Sequence, residues 1–364
     1  MNKRFFTLIY IHGTWVTVVE QNGLVFLLIF IGQSNMDGRA PDEDLPGYLK
    51  VPITNTHITN INNENIGNIR YDLNDSFVED KHGLLVPFAD AMKELIEGHY
   101  AFYAQGGTNL FGSWGYPGNL DRDFAAGSMV NNSGFLSLDL SAWAQASNYI
   151  VGDYIRFDLN ENLEGFHRVT SISGSIYTFA TTWVAGYSSQ TVRLLHSAMR
   201  LPFFRKLKAI LLNLLAQGKT IDETWLYFDQ GEAEAALSDP GAGKNTYVAQ
   251  WSGNADRLID DTRLFCRTVL QDQTFQITGA ITKKVSSHLS GIGYPSTADM
   301  MDESDEWLAN DSKDWMKFVI DDSTYKIPTD YFSDDNLHLN SAGFIKKGLE
   351  AAQIIIDNSP ILNS

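Results

Sequence analysis

A chain of 364 residues with 44% hydrophobic and 20% charged residues has the composition of a folded globular protein, and it is longer than most single domains. Its formal net charge of −17 argues against nucleic acid as a ligand, because binding to phosphate backbones depends on clustered Lys and Arg. The single cysteine, Cys266, excludes an intrachain disulfide and a cysteine-based zinc site. No apolar stretch approaches the about 20 residues that cross a bilayer, so we expect no contact with a membrane.

The amino-terminal segment predicts two short strands. Its apolar residues 5–11 are followed by the break His12-Gly13, and no small-x-small cleavage site precedes Glu20. This pattern argues against a secretory signal peptide. The sequence is compatible with a cytoplasmic location and with association with a virus particle.

An uninterrupted apolar run from Leu24 to Ile31 predicts a buried parallel strand. The run ends in Gly32-Gln33-Ser34-Asn35-Met36, so Ser34 is expected in the turn at the carboxyl end of the strand. Ligands and reacting groups of open α/β sheets gather at that edge. Ser34 is therefore a candidate nucleophile; the alternative is that it only caps the next helix.

A second candidate loop follows the next predicted elements. Residues 37–74 are rich in Asn, Asp, Pro and Gly and predict a long irregular connection. A helix is predicted over 88–96 and a strand over 100–104. That strand ends in Gln105-Gly106-Gly107, where paired glycines bring backbone N–H groups close to a cleft, unless they form a plain tight turn.

The composition changes between about Phe111 and Val192, where Gly, Ser, Asn and aromatic residues dominate. Alternation with a period of two predicts antiparallel strands joined by glycine-bearing turns, within 149–157 and 167–179. We therefore predict a β-rich insertion over residues 111–195. It divides one α/β domain into a first part, residues 1–110, and a second part, residues 196–364.

Alternation of helices and strands resumes after the insertion. The pattern predicts helices over 203–215 and 257–269 and strands over 224–228 and 275–281. Polar residues again follow a strand end, in Asp229-Gln230-Gly231-Glu232. The acidic run 302–306 is interpreted as a solvent-exposed loop.

The last predicted helix begins after Ser341 and is directly preceded by Asp335 and His338. A serine hydroxyl needs a nearby base to become a nucleophile, and the base needs a carboxylate on its other ring nitrogen. Asp335 and His338, three residues apart on one turn, can supply both. Acyl transfer also needs donors to the oxyanion, for which backbone N–H groups and the amide of Gln230 are suitable.

Four blocks of the sequence thus follow one another in a fixed order. They are Gly32-Gln33-Ser34-Asn35-Met36, Gln105-Gly106-Gly107-Thr108, Gln230-Gly231-Glu232 and Asp335-x-x-His338. Together they resemble the successive blocks of the SGNH hydrolase superfamily, and most of all its sialate O-acetylesterase and acetylxylan-esterase-like carbohydrate esterases, whose nucleophile block is typically GQSNM. The resemblance implies a three-layer α/β/α fold with a mostly parallel, flavodoxin-like sheet.

The resemblance also implies roles for individual residues. Ser34 would be the nucleophile, His338 the general base and then acid, and Asp335 the residue that orients His338. Gly107 and Gln230 would donate to the oxyanion beside the N–H of Ser34. The expected activity is hydrolysis, without metal or cofactor, of O-acetyl esters on a carbohydrate such as sialic acid, xylan or another polysaccharide.

Residues beside these blocks have two interpretations each. Glu232 either anchors the Ser34 turn or contacts a sugar hydroxyl, and Asn35 and Arg39 either brace that turn or, for Arg39, contact an acidic sugar. Asp229 stands where related proteins often have His, and it brings a negative charge near the expected oxyanion. Two further substrate candidates are Gly106 and Trp114; Trp114 either stacks on a pyranose ring or packs inside the insertion.

A rival hypothesis makes the chain a carbohydrate-binding or phage receptor-binding module on an esterase-like scaffold, in which Asp229 has disabled the oxyanion pocket. An active version of this hypothesis is a viral polysaccharide de-O-acetylase. No paired metal-ligand spacing is visible, so no metal site is expected. Ordinary structural roles are expected for the remaining histidines, which are His12, His57, His82, His99, His167, His196 and His288.

Overall fold

The computed structural model describes residues 5–11, 14–20, 23–59, 65–71, 81–105, 121–158, 162–236, 246–321, 331, 333 and 337–364, with the backbone alone for 5–11, 14–20, 34 and 37. The described chain is a mixed α/β structure. Its strands are β1 Phe5–Ile11, β2 Thr14–Glu20, β3 Val25–Gly32, β4 Ala40–Pro41, β5 Ile53–Thr59, β6 Ile66–Ile69, β7 Lys81–His82, β8 Glu97–Ala104, β9 Arg122–Phe124, β10 Met129–Asn132, β11 Phe135–Asp139, β12 Tyr154–Asp158, β13 Gly165–Ser173, β14 Ile176–Thr182, β15 Val192–Leu195, β16 Glu223–Asp229, β17 Gly279–Lys284 and β18 Met316–Asp321. Its helices are α1 Ser34–Asp37, α2 Leu85–Met92, α3 Arg200–Ala216, α4 Glu232–Ala235, α5 Thr246–Ala249, α6 Trp251–Leu270, α7 Thr297–Ala309 and α8 Ser341–Asn358.

The main sheet has the strand order β18-β17-β16-β3-β8-β5-β6, and only the edge strand β6 is antiparallel to its neighbour. The chain runs from β3 to β5, returns to β8 on one side of β3, and later places β16 on the other side of β3. The strand order therefore reverses direction at β3. In open α/β sheets, the crevice at the carboxyl ends beside such a reversal is where ligands bind.

Strand β3 lies at the centre of this sheet, and no residue from Val25 to Ile31 is more than 5% exposed. Alternate side chains point to opposite faces of a strand. Leu27 and Ile29 accordingly share a core with α3, α6 and α7, whereas Phe26 and Phe30 share a second core with α2 and α8. This two-sided burial explains why β3 is an uninterrupted apolar run rather than an alternating one.

Strands from 122–195 form a separate seven-stranded antiparallel sheet, ordered β10-β11-β14-β13-β12-β15-β9, with a hydrophobic core of its own. It contacts the α/β part through edge-to-face aromatic side chains: the ring centroid of Phe166 lies 4.8 Å from that of Phe204 and 5.1 Å from that of Phe265. Beside them, the buried carboxylate of Asp261 on α6 bonds Arg156 of β12 at 2.9 Å and Arg200 of α3 at 2.5 Å. The second sheet is thus attached by both apolar and ionic contacts.

Several predicted elements are confirmed. The two amino-terminal strands pair as an antiparallel hairpin, the predicted helix at 203–215 is α3, and the predicted strand at 224–228 is β16. The paired strands predicted within 167–179 are β13 and β14. Among the helices that the structure describes, none combines the length and the apolar character needed to cross a bilayer.

Two predictions are wrong. Residues 37–74 are not an irregular connection throughout, because β5 lies inside them and pairs with β8. Thr56 of β5 is fully buried, and its hydroxyl is satisfied because it donates to Ile53 O at 2.6 Å and accepts from Ile69 N at 2.9 Å.

The acidic run 302–306 is not a loop but part of α7, whose helical period buries Glu303 and leaves Asp302 more exposed.

Candidate active site

The candidate loops leave the main sheet from neighbouring positions on one edge. In the strand register Gly32, the last residue of β3, pairs with Ala104 on β8 and with Asp229 on β16. Backbone hydrogen bonds continue one residue further, from Gln33 N to Asp229 O at 3.1 Å and from Gln105 N to Gly32 O at 3.1 Å. The residues that follow these three strands therefore start side by side.

Gly32 permits the abrupt change from strand to helix. A Cβ atom at this position would lie 2.3 Å from Cβ of Met36 and 2.9 Å from the carbonyl oxygen of Asp229, so only glycine fits. Helix α1 begins at the next residue but one, Ser34, and Met36 N donates to Gln33 O at 2.9 Å to close the turn. Ser34 is thus the first helical residue after the central strand.

Asn35 connects this turn to the segment that contains His338. Its Oδ1 accepts a 3.0 Å hydrogen bond from the backbone N–H of Leu339, and its Nδ2 donates to the carbonyl oxygen of Leu337 at 3.3 Å. Asn35 is 2% exposed, so these bonds are shielded from water. The residue after Ser34 therefore binds the backbone on both sides of His338.

His338 is half-buried, and its own carbonyl oxygen is also fixed. That oxygen accepts from the backbone N–H of Ser333 at 2.8 Å and from the hydroxyl of Ser333 at 2.9 Å. Helix α8 begins three residues later, where the side chain of Asn340 accepts from Gly343 N at 2.9 Å as an N-cap. The backbone of His338 is consequently held from the Asn35 side, from Ser333 and by the start of α8.

Glu232 supports the Ser34 turn through side-chain amides. One carboxylate oxygen accepts from Nε2 of Gln33, the other accepts from Nδ2 of Asn35 at 2.7 Å, and Nζ of Lys283 forms an ion pair with it. Gln33 is bound a second time, because its Oε1 accepts from Ala233 N at 3.3 Å. The anchoring interpretation of Glu232 agrees with these contacts, which run to the side chains that flank Ser34.

The carboxylate of Asp229 is completely buried and charge-compensated. Its Oδ1 lies 2.5 Å from Nζ of Lys283 on β17, its Oδ2 lies 3.4 Å from Nζ of Lys347 on α8, and both lysines are fully buried. Burial raises the pKa of the Asp229 carboxyl, but the charges and hydrogen bonds of the two lysines lower it more, and the net pKa lies below the usual range. The negative charge near the expected oxyanion is thus paired with two ammonium groups.

Gln230 follows Asp229 and is also fully buried. The next residue, Gly231, has a φ of +143°, and a Cβ atom there would lie 2.8 Å from Cγ1 of Val285. Both the backbone conformation and the space require glycine. The conformation of the Gln230 turn therefore depends on Gly231.

Of the remaining candidates, the structure describes only part. Arg39 is half-buried, two residues after α1. The side chain of Ser34 is not described. Four candidates lie outside the described residues, namely Gly106, Gly107, Trp114 and Asp335.

Sequence reasoning missed Lys283 and Lys347. The sequence contained a weak signal for Lys283, because this lysine follows the apolar residues of a predicted strand. In the structure, five of the six residues of that strand, β17, are buried. A lysine at an inward position of a buried strand needs a counter-ion. Lys347 gave no such signal, because a lysine on an amphipathic helix is ordinarily exposed.

Comparison with known proteins gives a similarity in structure. No protein-family model matches the chain, and no curated protein matches it. The chain is similar to a solved crystal structure of NanS, with 12% sequence identity and a TM-score of 0.48, over 92% of this chain and 98% of the NanS chain. At this level of similarity, the function has to be argued from the site residues themselves.

Proposed function

We propose that the chain is a serine esterase that removes O-acetyl groups from a carbohydrate through an acyl-Ser34 intermediate. We further propose that its α/β part is a three-layer SGNH-type domain interrupted by the β-rich insertion, residues 111–195. One observation carries the proposal: Asn35, next to Ser34, is hydrogen-bonded to both neighbours of His338. A nucleophile and a base must lie within hydrogen-bond reach of each other, and this contact connects their two segments.

In the proposed reaction, His338 accepts the proton of the Ser34 hydroxyl while Oγ attacks the carbonyl carbon of the acetyl ester. The oxyanion of the tetrahedral intermediate accepts hydrogen bonds from the N–H groups of Ser34 and Gly107 and from the amide of Gln230. His338 then gives its proton to the departing sugar oxygen. A water molecule, deprotonated by His338, releases acetate and restores Ser34, while Asp335 holds the imidazole in the required tautomer.

The buried network beneath Ser34 supports this role. Glu232 fixes the amides of Gln33 and Asn35 and is itself paired with Lys283. Side chains that are locked by packing and hydrogen bonds hold a catalytic turn in one geometry, which avoids reorganisation during the reaction. The network thus gives a physical reason for the two amide residues, Gln33 and Asn35, on either side of Ser34.

The contacts of Asp229 favour an esterase over the rival binding module. That rival requires the Asp229 carboxylate to repel a developing oxyanion. Its carboxylate instead lies between Lys283 and Lys347, and its pKa is below the usual range, so the local charge is balanced. A balanced carboxylate leaves the amide of Gln230 able to stabilise negative charge.

The proposal is tested by acetate release from acetylated xylan, acetylated sialic acid and acetylated bacterial polysaccharides. We expect Ser34→Ala and His338→Ala to lower the rate by about 10⁴-fold or more, as removal of a nucleophile or base does in serine hydrolases. Ser290→Ala is the matched control, because Ser290 is an exposed serine in the short 3-10 helix Ser287–Ile292. Unchanged acetate release in Ser34→Ala would contradict the mechanism.

Labelling by a fluorophosphonate separates the enzyme from the binding module, because only an activated hydroxyl reacts. We expect one label per wild-type chain and none in Ser34→Ala. A wild-type protein that binds acetylated polysaccharide, but is neither labelled nor active on any of the three substrates, would support the binding module instead.

A further inference from the structure

A cluster of metal-ligand side chains lies at the opposite edge of the main sheet from Ser34. It consists of His57 on β5 and of Glu97 and His99 at the start of β8. Because Glu97 begins β8 and Ala104 ends it, the cluster is about 20 Å from the candidate active site, at roughly 3.3 Å per residue. It therefore belongs to a different site.

The strand register explains why these three side chains meet. Glu97 and His99 are two residues apart on one strand and so share a face. His57 is directly opposite His99 in the parallel pairing of β5 with β8, and the two imidazole rings stack with centroids 4.4 Å apart and planes inclined by 14°. Nothing in the sequence spacing reveals this contact, because the two histidines come from different strands.

The potential ligand atoms converge on one point. Nε2 of His57 lies 2.8 Å from Oε1 of Glu97, and Nε2 of His99 lies 3.2 Å from the same oxygen. Within the described part of the chain, these three residues form a group whose ligand atoms all lie within 4.8 Å of one another. A tetrahedral zinc ion with bonds of 2.0–2.2 Å separates its ligand atoms by about 3.3 Å. The two distances to Oε1 of Glu97, 2.8 and 3.2 Å, are somewhat below this value.

We propose that His57, Glu97 and His99 bind a zinc ion. Two imidazole nitrogens and one carboxylate oxygen are a ligand set typical of Zn²⁺, and their arrangement leaves a fourth position for water. The side chains of His57 and Glu97 are 27% and 23% exposed, so the ion has a route from solvent. The bound ion would join β5 to β8 through side chains, in addition to their backbone pairing.

Zinc binding must also displace Lys219 from Glu97. Its ammonium forms an ion pair with the same Oε1 of Glu97 that faces the two histidines. Lys219 lies in the turn after α3, and its side chain is 29% exposed, so it can move into water when a metal ion arrives. Lys219 is thus a competing cation, and its removal should strengthen metal binding.

The side chain of His99 is fully buried, and its two ring nitrogens differ in their surroundings. Nδ1 of His99 has no hydrogen-bond partner among the described residues, whereas Nε2 faces Glu97.

Calorimetric titration of the EDTA-treated full chain with zinc chloride tests the proposal. We expect one zinc per wild-type chain, at least about tenfold weaker binding in His57→Ala and in Glu97→Gln, and tighter binding in Lys219→Met. Titration with Co²⁺ should give the intense visible absorption of tetrahedral cobalt in the wild type and lose it in His57→Ala. Zinc should also raise the Tm of the wild type and leave that of His57→Ala unchanged.

His338→Ala is the matched control, because His338 is another half-buried histidine that a zinc ion can reach. This variant should keep the full zinc stoichiometry, which shows that binding does not occur at the candidate active site. The proposal is overturned if the wild type binds no zinc, or if His57→Ala binds it as tightly as the wild type. A zinc ion lost in His338→Ala but kept in His57→Ala would overturn it as well.

Discussion

The side chain of Asn35 accepts a 3.0 Å hydrogen bond from the backbone N–H of Leu339, which lies 304 residues further along the chain. A second bond, from Nδ2 of Asn35 to Leu337 O, makes the contact two-sided around His338. A single amide thus sets the relative position of the proposed nucleophile turn and the proposed base. The position of His338 depends on this amide as well as on its own loop.

Asn35→Ala should therefore lower kcat without unfolding the chain. Loss of buried hydrogen bonds worth about 1–3 kcal/mol in total allows the His338 segment to move, which corresponds to about a tenfold to hundredfold lower rate. Acetate release under substrate saturation measures the effect, and circular dichroism checks the fold. Asn35→Asp keeps the acceptor for Leu339 N but places a second carboxylate beside Glu232, so it should be less stable than Asn35→Ala. A wild-type kcat in Asn35→Ala would contradict the positioning role.

Asp229→Asn should destabilise the protein strongly. Without the carboxylate, the buried ammonium of Lys347 loses the partner at 3.4 Å, and that of Lys283 loses the partner at 2.5 Å. Breaking a buried ion pair on one side costs about 3–5 kcal/mol, which urea denaturation at pH 7 can measure. Asp305→Asn is the matched control, because Asp305 pairs with Lys284 at 2.5 Å on the surface and should cost less than about 1 kcal/mol. Equal effects of the two substitutions would show that burial of the pair is unimportant.

Gly231→Ala should lower both stability and activity. An alanine with a φ of +143° and a Cβ atom 2.8 Å from Val285 strains the turn that carries Gln230, at a cost of about 1–3 kcal/mol. Gly253→Ala should instead stabilise by about 0.5–1 kcal/mol, because Gly253 lies in α6 and a Cβ atom there has no neighbour within 4 Å. Thermal unfolding and acetate release of the two variants are compared with the wild type. A neutral Gly231→Ala would refute the strained turn.

Acid should destabilise the protein well before its carboxylates titrate. Burial lowers the pKa of His82, His167 and His196 to about 4, whereas the same side chains in the unfolded chain have a pKa of 6.5. Between pH 6.5 and pH 4 the unfolded chain binds more protons than the folded chain, so the free energy of unfolding falls as the pH is lowered. The fall is at most about 1.4 kcal/mol per pH unit for each histidine. Urea denaturation at pH 7, 6 and 5 measures it.

The slope of that decline has its own control. His167→Gln removes one of these three groups, the one in the second sheet. Between pH 6.5 and pH 4, the number of protons taken up on unfolding should therefore be smaller by about one than in the wild type. Stability that stays constant from pH 7 to pH 5 would show that these histidines are not buried in their neutral form.

Asp261→Asn should loosen the second sheet from the α/β part. The substitution leaves the buried guanidinium groups of Arg156 and Arg200 without their shared carboxylate, at a cost of about 3–5 kcal/mol. Limited proteolysis should then cut the chain between the two sheets faster than in the wild type. Asp158→Asn is the control, because Asp158 pairs with Arg257 at 2.8 Å where both side chains are partly exposed. Equal proteolysis rates in the two variants would contradict the anchoring role of Asp261.

Elements that follow from local patterns could be predicted from the sequence. The apolar run of β3 and the glycine that ends it define the strand and the Ser34 turn, and the period of 3.6 residues defines α3 and α8. The polar residues at strand ends identified Gln230, because the carboxyl ends of parallel strands meet at one edge. Each of these inferences needs only residues that are close in sequence.

Contacts between distant segments could not be predicted in the same way. β5 was missed because its Thr and Asn residues have the composition of a loop, and only pairing with β8 and the hydrogen bonds of Thr56 make it a buried strand. The pairing of Asp229 with Lys283 and Lys347 depends on the packing of β17 and α8, which no spacing encodes. The meeting of His57 with His99 likewise depends on strand register.

The position of Lys347 on α8 has a consequence for the order in which the site is completed during synthesis. Asn35 is made before its partner Leu339, which lies 304 residues further along the chain, and Asp229 is made before Lys347, which lies 118 residues further along. At about 5–20 residues per second, Asn35 precedes its partner Leu339 by about 15–60 seconds. Until α8 is made and docks, the Asp229 carboxylate lacks the ammonium of Lys347 and the Ser34 turn lacks the His338 segment. The esterase activity that we propose therefore requires synthesis to have passed α8.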